Sequence, residues 1–179
     1  MGNAIGMVEL TGIARGVETS DYMVKAAQVD LLRASTVCPG KYIILIAGET
    51  GDVKASMAEG VKRGGECVVN TLLLPNVHPQ LIPAISGTTQ APLSGAVGVL
   101  EFYSVASAIT AADIAAKAAA VTLIEVRIGY AIGGKGFVTL TGDVGAVREA
   151  VSAAAKNAEL LVGTSVIPRP APQVLQSLL

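Results

Sequence analysis

The sequence predicts an α+β protein built from two tandem copies of one domain, each a split β-α-β-β-α-β sheet with helices on one face. Three observations predict this fold class. The chain repeats itself, since AIGMVEL at 4–10 returns as AVGVLEF at 96–102. Each copy alternates between period-two and helical hydrophobic spacing, and each carries a glycine-containing turn between its two middle strands. A hairpin at the centre of this order is typical of ferredoxin-like domains.

The repeat extends over nearly the whole chain. Asp21 and Lys25 align with Asp113 and Lys117, and after a two-residue insertion the Gly-Lys pair at 40–41 aligns with that at 134–135. The copies also end alike, in NTLLLPNVHPQLI and GTSVIPRPAPQVL. We therefore predict a first domain over 1–85, a linker over 86–95 (SGTTQAPLSG, rich in turn formers) and a second domain over 96–179.

The elements of the first copy follow from local pattern. Alternation between glycines predicts a strand over 4–11, and helical spacing predicts a helix over 17–28 with Thr19 or Ser20 as its N-cap. The remaining elements are predicted in this order: strands at 29–37 and 41–47 around the CPGK turn, a helix at 50–63, a strand at 66–74 and a short helix at 78–84.

The composition limits the classes of function. Of the 179 residues, 51% are hydrophobic and only 15% charged, which is too little charge to cover a monomer's surface, so we expect an oligomer. The net charge of −1 and the lack of a basic run argue against nucleic acid. The uncharged stretch from Cys67 to Leu100 could span a bilayer by length, but four prolines interrupt it. No secretory signal is visible, and two cysteines fit a reducing cytosol.

At this point the sequence resembles a known family. AIGMVEL, D-x-x-x-K-A-A-x-V, the glycine-containing hairpin, GDVGAV and VIPRP are similar to the bacterial microcompartment shell domain, and both copies carry the pattern. The chain therefore resembles the tandem-domain shell proteins. The resemblance implies a homotrimer that imitates a hexamer, tiles edge to edge with other shell proteins in the bacterial cytoplasm, and is not an enzyme.

The resemblance also implies that the middle hairpins line a central pore. The pore-loop residues assigned in this way are Val37, Pro39, Gly40, Lys41, Ile132, Gly133, Gly134 and Lys135. Cys38, within CPGK, resembles the cysteine of tandem shell proteins from propanediol-utilisation microcompartments, which are understood to hold an iron–sulfur cluster on the three-fold axis. The resemblance therefore implies one [4Fe-4S] cluster per trimer, which is bound by Cys38 of three chains and transfers electrons across the shell. An encapsulated redox enzyme is then a candidate partner.

Two alternatives remain open. The first is a metal-free tile whose pore conducts or gates small metabolites, with Cys38 as an ordinary small pore-lining residue. The second is a soluble iron–sulfur oxidoreductase subunit, which would need acid, base or nucleophile residues around a substrate, and the sequence offers no such constellation. GYAIGGKG matches phosphate-loop spacing, but Gly136 replaces the Ser or Thr and the loop joins two strands, so we do not expect a nucleotide site.

The resemblance also implies roles for three further residues. Lys25 and Lys117 match the family's edge lysine, and Arg169 in VIPRP matches its edge arginine, where the first copy has Asn76. Glu9 and Glu101 align and are interpreted as structural carboxylates. We assign no function to Cys67 or His78.

Overall fold

A computed structural model describes residues 2–92 and 95–178, and Leu93 and Ser94 of the predicted linker lie outside the described residues. The chain divides into two compact units, Met1–Val77 and His78–Leu179. The first unit contains β1 (Ala4–Leu10), α1 (Ile13–Ala26), β2 (Val29–Val37), β3 (Lys41–Gly48), α2 (Thr50–Gly64) and β4 (Val68–Leu74). The second contains α3 (Leu81–Ser86), β5 (Ala96–Phe102), α4 (Val105–Ala118), β6 (Val121–Ile128), β7 (Gly136–Gly142), α5 (Val144–Ala155), β8 (Leu161–Ile167) and α6 (Pro172–Gln176).

The two sheets share one topology. Their strand orders are β2-β3-β1-β4 and β6-β7-β5-β8, with antiparallel pairing throughout. Even the irregularities repeat, since the register shifts between Glu9 and Leu10 in one sheet and between Glu101 and Phe102 in the other. The predicted β-α-β-β-α-β order and the duplication are therefore confirmed strand by strand.

The core of the first unit lies between the sheet and its two long helices. Val8 of β1 and Ile44 of β3 are fully buried there with Met23 of α1 and Val53 of α2. Gly6 occupies the same face of β1, where an added Cβ would lie 2.7 Å from atoms of Val53 and Met57, so the closeness of α2 depends on that glycine. Both helices thus pack on one face of the sheet, as predicted.

The predicted start of the first helix is wrong. It begins at Ile13, four residues earlier than expected, with Gly12 at the N-cap, while Thr19 and Ser20 lie inside the helix and are buried. The Ser20 hydroxyl donates to the carbonyl of Gly16, four residues earlier, at 2.8 Å. It therefore bonds back to its own helix and does not act as an N-cap. Thr19 and Ser20 are thus buried inside the helix, whereas the sequence pattern predicted that one of them would start it.

Of the helices that the structure describes, none has the length and apolar character needed to cross a bilayer. The longest in the first unit, α2, has 15 residues.

The equivalent helix of the second unit has the cap that α1 lacks. Ser104 aligns with Gly12, and its hydroxyl accepts a hydrogen bond from the backbone N–H of Ser107 at 3.3 Å. We expect Ser104→Ala to lower the free energy of unfolding by about 0.5–1 kcal/mol, because one N–H at the helix start loses its partner. Urea unfolding followed by circular dichroism measures this. Ser107→Ala keeps the N–H and is the control, and equal losses in both variants would contradict the capping role.

Candidate functional site

The first hairpin presents a thiol at its tip. Val37 pairs with Lys41 across β2 and β3, which leaves three residues, Cys38, Pro39 and Gly40, in the turn. Gly40 has a φ of +94° and donates its N–H to the carbonyl of Val37 at 3.0 Å, a conformation that favours glycine. Val37 is buried, Cys38 is half-buried with a free thiol, and Pro39 is exposed. The sequence thus places one accessible sulfur on a short, well-defined turn.

The second hairpin is built differently. Ile128 pairs with Gly136, so the loop between β6 and β7 covers the seven residues 129–135. Gly129 donates its N–H to the carbonyl of Lys135 at 3.0 Å, and Gly133 and Gly134 both have positive φ. The Tyr130 side chain on this loop is 72% exposed. The loop joins two strands, as expected, and carries no thiol, so the two hairpins differ in both length and chemistry.

A glutamate–lysine ion pair lies at the base of each hairpin. Lys41 Nζ donates to Glu9 Oε1 at 2.9 Å in the first unit, and Lys135 Nζ donates to Glu101 Oε1 at 2.8 Å in the second. The first pair is the more enclosed, because the Glu9 side chain is only 9% exposed and that of Glu101 is 40% exposed. Each pair links the end of a hairpin to an inner strand of its sheet, β1 or β5.

Electrostatics at the second pair favour the charged lysine. The hydrogen bond to Glu101 raises the pKa of Lys135 above its usual value, and the nearby Tyr103 adds to that effect. Lys135 Nζ also lies 5.5 Å from the centre of the Tyr103 ring. Lys135 therefore remains a cation throughout the physiological pH range.

Sequence reasoning missed these pairs, although it identified all four residues. The two lysines were assigned to the pore loops and the two glutamates to structural roles, without a link between them. The signal that could have found the link is the duplication itself, because a glutamate on the first strand and a lysine after the hairpin glycine recur together in both copies.

The second cysteine contributes to packing. Cys67 lies beside Gly12 and packs against the hydrophobic core of the first unit with Val68. Across residues 2–92 and 95–178, no three His, Cys, Asp or Glu side chains converge as a set that could hold a metal ion. One chain therefore offers a single exposed-loop thiol, Cys38, as a soft metal ligand.

The assigned edge lysines are held in matching ways. Lys25 Nζ donates to Asp21 Oδ2 and Lys117 Nζ donates to Asp113 Oδ2, each at 2.6 Å and one helical turn apart. The Lys25 side chain is 71% exposed and that of Lys117 is 43% exposed.

The assigned edge arginine and its counterpart differ. Arg169 is exposed after β8. Asn76, its counterpart in the first copy, adopts a φ of +54° and accepts a hydrogen bond from the Asn3 side chain at 2.8 Å. The first copy therefore replaces a cation by a locally bonded amide at this position.

Comparisons with known proteins agree with this architecture. The BMC domain model matches residues 4–77 and again residues 96–170. The chain is 46% identical over 173 residues to the bacterial microcompartment shell protein PduT of Citrobacter freundii, covering 95% of this chain and 94% of that protein. The carboxysome shell protein CsoS1 of Prochlorococcus marinus is 35% identical over 88 residues, which is 48% of this chain and 85% of CsoS1.

Solved structures give the same result. A crystal structure of a microcompartment protein from Desulfitobacterium hafniense DCB superposes with a TM-score of 0.94 at 49% identity, covering 97% of this chain and 98% of that one. The fold, the duplication and these similarities together confirm the resemblance stated from the motifs. The chain belongs to the BMC-domain family of bacterial microcompartment shell proteins and carries two BMC domains in tandem.

Proposed function

We propose that this shell protein forms a homotrimer whose six domains imitate a hexamer, and that the trimer holds one [4Fe-4S] cluster at its central pore through Cys38 of each chain. The observation that carries the proposal is the asymmetry of the hairpins. Only the first repeat places a free thiol on its hairpin turn, so three chains would offer three thiols and no more.

The residues present fit such a group. Iron–sulfur clusters are held by cysteine thiolates, usually four, and three thiolates would leave one iron to a non-protein ligand. The Cys38 thiol is free and half-buried, and the turn that carries it is closed by the hydrogen bond between Gly40 and Val37. When bound, a cluster of this kind would supply one-electron transfer between the two sides of the shell, and an encapsulated redox enzyme is a candidate partner.

The protein's own residues would hold the thiol in position. Pro39 and Gly40 shape the turn, and Lys41, immediately after it, forms an ion pair with Glu9 on β1, an inner strand of the sheet. This fastening limits how far the turn can shift relative to the sheet. We propose a structural role without catalysis in the bacterial cytoplasm, with Lys25, Lys117 and Arg169 at the edges that meet other tiles.

Anaerobic purification followed by native mass spectrometry and by iron and sulfide assays tests the proposal. We expect a species of three chains with iron and sulfide in equal amounts, at one [4Fe-4S] cluster per trimer. A trimer that holds no iron after anaerobic reconstitution would overturn the cluster and leave the metal-free tile, whose pore conducts or gates small metabolites. A monomer at micromolar concentration would overturn the trimer as well.

A further inference from the structure

The segment that follows β4 closes the edge of a sheet through a side chain. β6 is an outer strand of the second sheet, and the Gln80 carboxamide both donates to and accepts from the backbone of β6. Gln80 Nε2 donates to the carbonyl of Val121 at 3.1 Å, and its Oε1 accepts from the N–H of Leu123 at 2.8 Å. One carboxamide thus supplies the donor and the acceptor that a further strand would supply.

A buried carboxylate fixes the start of the same segment. The backbone N–H of His78 donates to Asp113 Oδ1 at 2.7 Å, while the other oxygen of that carboxylate accepts from Lys117. Asp113 is 6% exposed. Three residues after His78, α3 begins with Leu81, which is fully buried in the second unit. The segment therefore attaches through one carboxylate, one carboxamide and one apolar side chain.

The first unit has the same receiving surface without a cover. By the duplication, Asp113, Val121 and Leu123 correspond to Asp21, Val29 and Leu31. β2 is likewise an outer strand, Leu31 is 45% exposed and the Asp21 side chain is 58% exposed. Within the part of the chain that the structure describes, no side chain bonds to the β2 backbone as Gln80 bonds to β6.

The second repeat ends in the same attaching segment without a sheet to receive it. Ala171, Pro172 and Gln173 correspond to His78, Pro79 and Gln80, and Ala171 keeps the N–H that such an attachment needs. Gln173 is exposed, and its side chain makes no hydrogen bond to the described residues. Val174, the counterpart of fully buried Leu81, is 45% exposed.

We infer that the segment Ala171–Gln176 of one chain docks on the first unit of a second copy, with Gln173 on the β2 backbone at Val29 and Leu31 and the N–H of Ala171 on Asp21. A second copy is the occupant because this chain carries one uncovered receiving edge and one unused attaching segment that match each other. Contacts of this head-to-tail kind close into a ring when the rotation between successive chains completes a full turn, as it would in the proposed trimer. The inference deepens the proposed homotrimer and rests on it, since three such contacts would join three chains.

Cross-linking between two introduced cysteines tests the contact. The Gln80 carboxamide faces the backbone at residue 122, so Gln80→Cys with Thr122→Cys should link within a chain under a short bismaleimide. The matching pair, Gln173→Cys with Asp30→Cys, should link between chains and give covalent dimers and trimers on a denaturing gel. Each single variant reports the background from the natural cysteines, and peptide mass spectrometry identifies the linked residues.

The mass of the oligomer, measured in parallel, shows whether only the docking contact is wrong or the proposed homotrimer as well. A trimer without links between residues 173 and 30 would overturn this contact and leave the proposed homotrimer intact, whereas a monomer would overturn both.

Gln173→Ala should also raise the dissociation constant of the trimer by at least about tenfold, because each contact loses two hydrogen bonds. Gln176→Ala, on the same helix, is the control and should leave that constant unchanged. Equal effects of the two variants would contradict the role of Gln173.

Discussion

Replacing Cys38 with serine is expected to abolish iron binding while leaving the trimer intact. A serine hydroxyl is a hard, weakly acidic ligand that does not replace a thiolate on an iron–sulfur cluster. The exchange sits on a hairpin turn outside the hydrophobic core, where a substitution changes the free energy of unfolding by about 0.5 kcal/mol or less. Iron and sulfide content after anaerobic reconstitution measures the loss, and native mass spectrometry reports the trimer.

Cys67→Ser provides the matched control for this experiment. Cys67 packs against the core of the first unit, so its loss should lower stability without removing iron. Iron retained by the Cys38 variant, or lost equally from both variants, would contradict the assignment of Cys38 as the ligand.

Replacing Lys41 with methionine is expected to destabilise the first unit, whereas Lys135→Met should change little. Glu9 is only 9% exposed, so without Lys41 its carboxylate would stay buried without its ion-pair partner. Leaving a buried charged group without its hydrogen bond costs about 1–3 kcal/mol. Glu101 is 40% exposed, and water can replace Lys135 there. Urea unfolding at one fixed protein concentration compares the two variants.

Substituting the other member of the ion pair makes this test more specific. Glu9→Gln removes the buried charge and leaves Lys41, whose side chain is 36% exposed, free to reach water. It should therefore cost less stability than Lys41→Met. If the two lysine variants were equally stable, or if Glu9→Gln cost more than Lys41→Met, burial of the carboxylate would not be what stabilises the pair.

The order of elements could be predicted because it depends on local pattern. The strand Ala4–Leu10 and its copy Ala96–Phe102 are short, mostly apolar runs that are buried almost throughout, and the helices between strands keep helical spacing. The start of α1 was misplaced for a local reason too, since Gly12 gives no capping signal, while Thr19 and Ser20 give a misleading one. The cap of the equivalent helix α4 is a serine, Ser104, whose hydroxyl accepts from the Ser107 N–H.

The candidate site could be predicted only in part. Cys38 and the two hairpins follow from spacing and from the resemblance to the shell family, and the structure adds the closed three-residue turn that carries the thiol. The ion pair between Glu9 and Lys41 at the base of that turn was not predicted, because the two residues are 32 positions apart on different strands. The same is true of Gln80, which is 41 positions from Val121.

The sequence by itself determined that this protein consists of two BMC-type copies, which strands and helices each contains, and that only the first hairpin has a thiol. These features depend on hydrophobic periodicity, turn residues and internal repetition, all of which can be identified from short windows of the sequence or by comparing the two copies. Only the tertiary structure decided that Glu9 meets Lys41, that Gln80 closes the edge of β6, and that Asp21, Leu31 and Gln173 stay uncovered. Such contacts depend on strand order and register, which bring together residues that no sequence window contains.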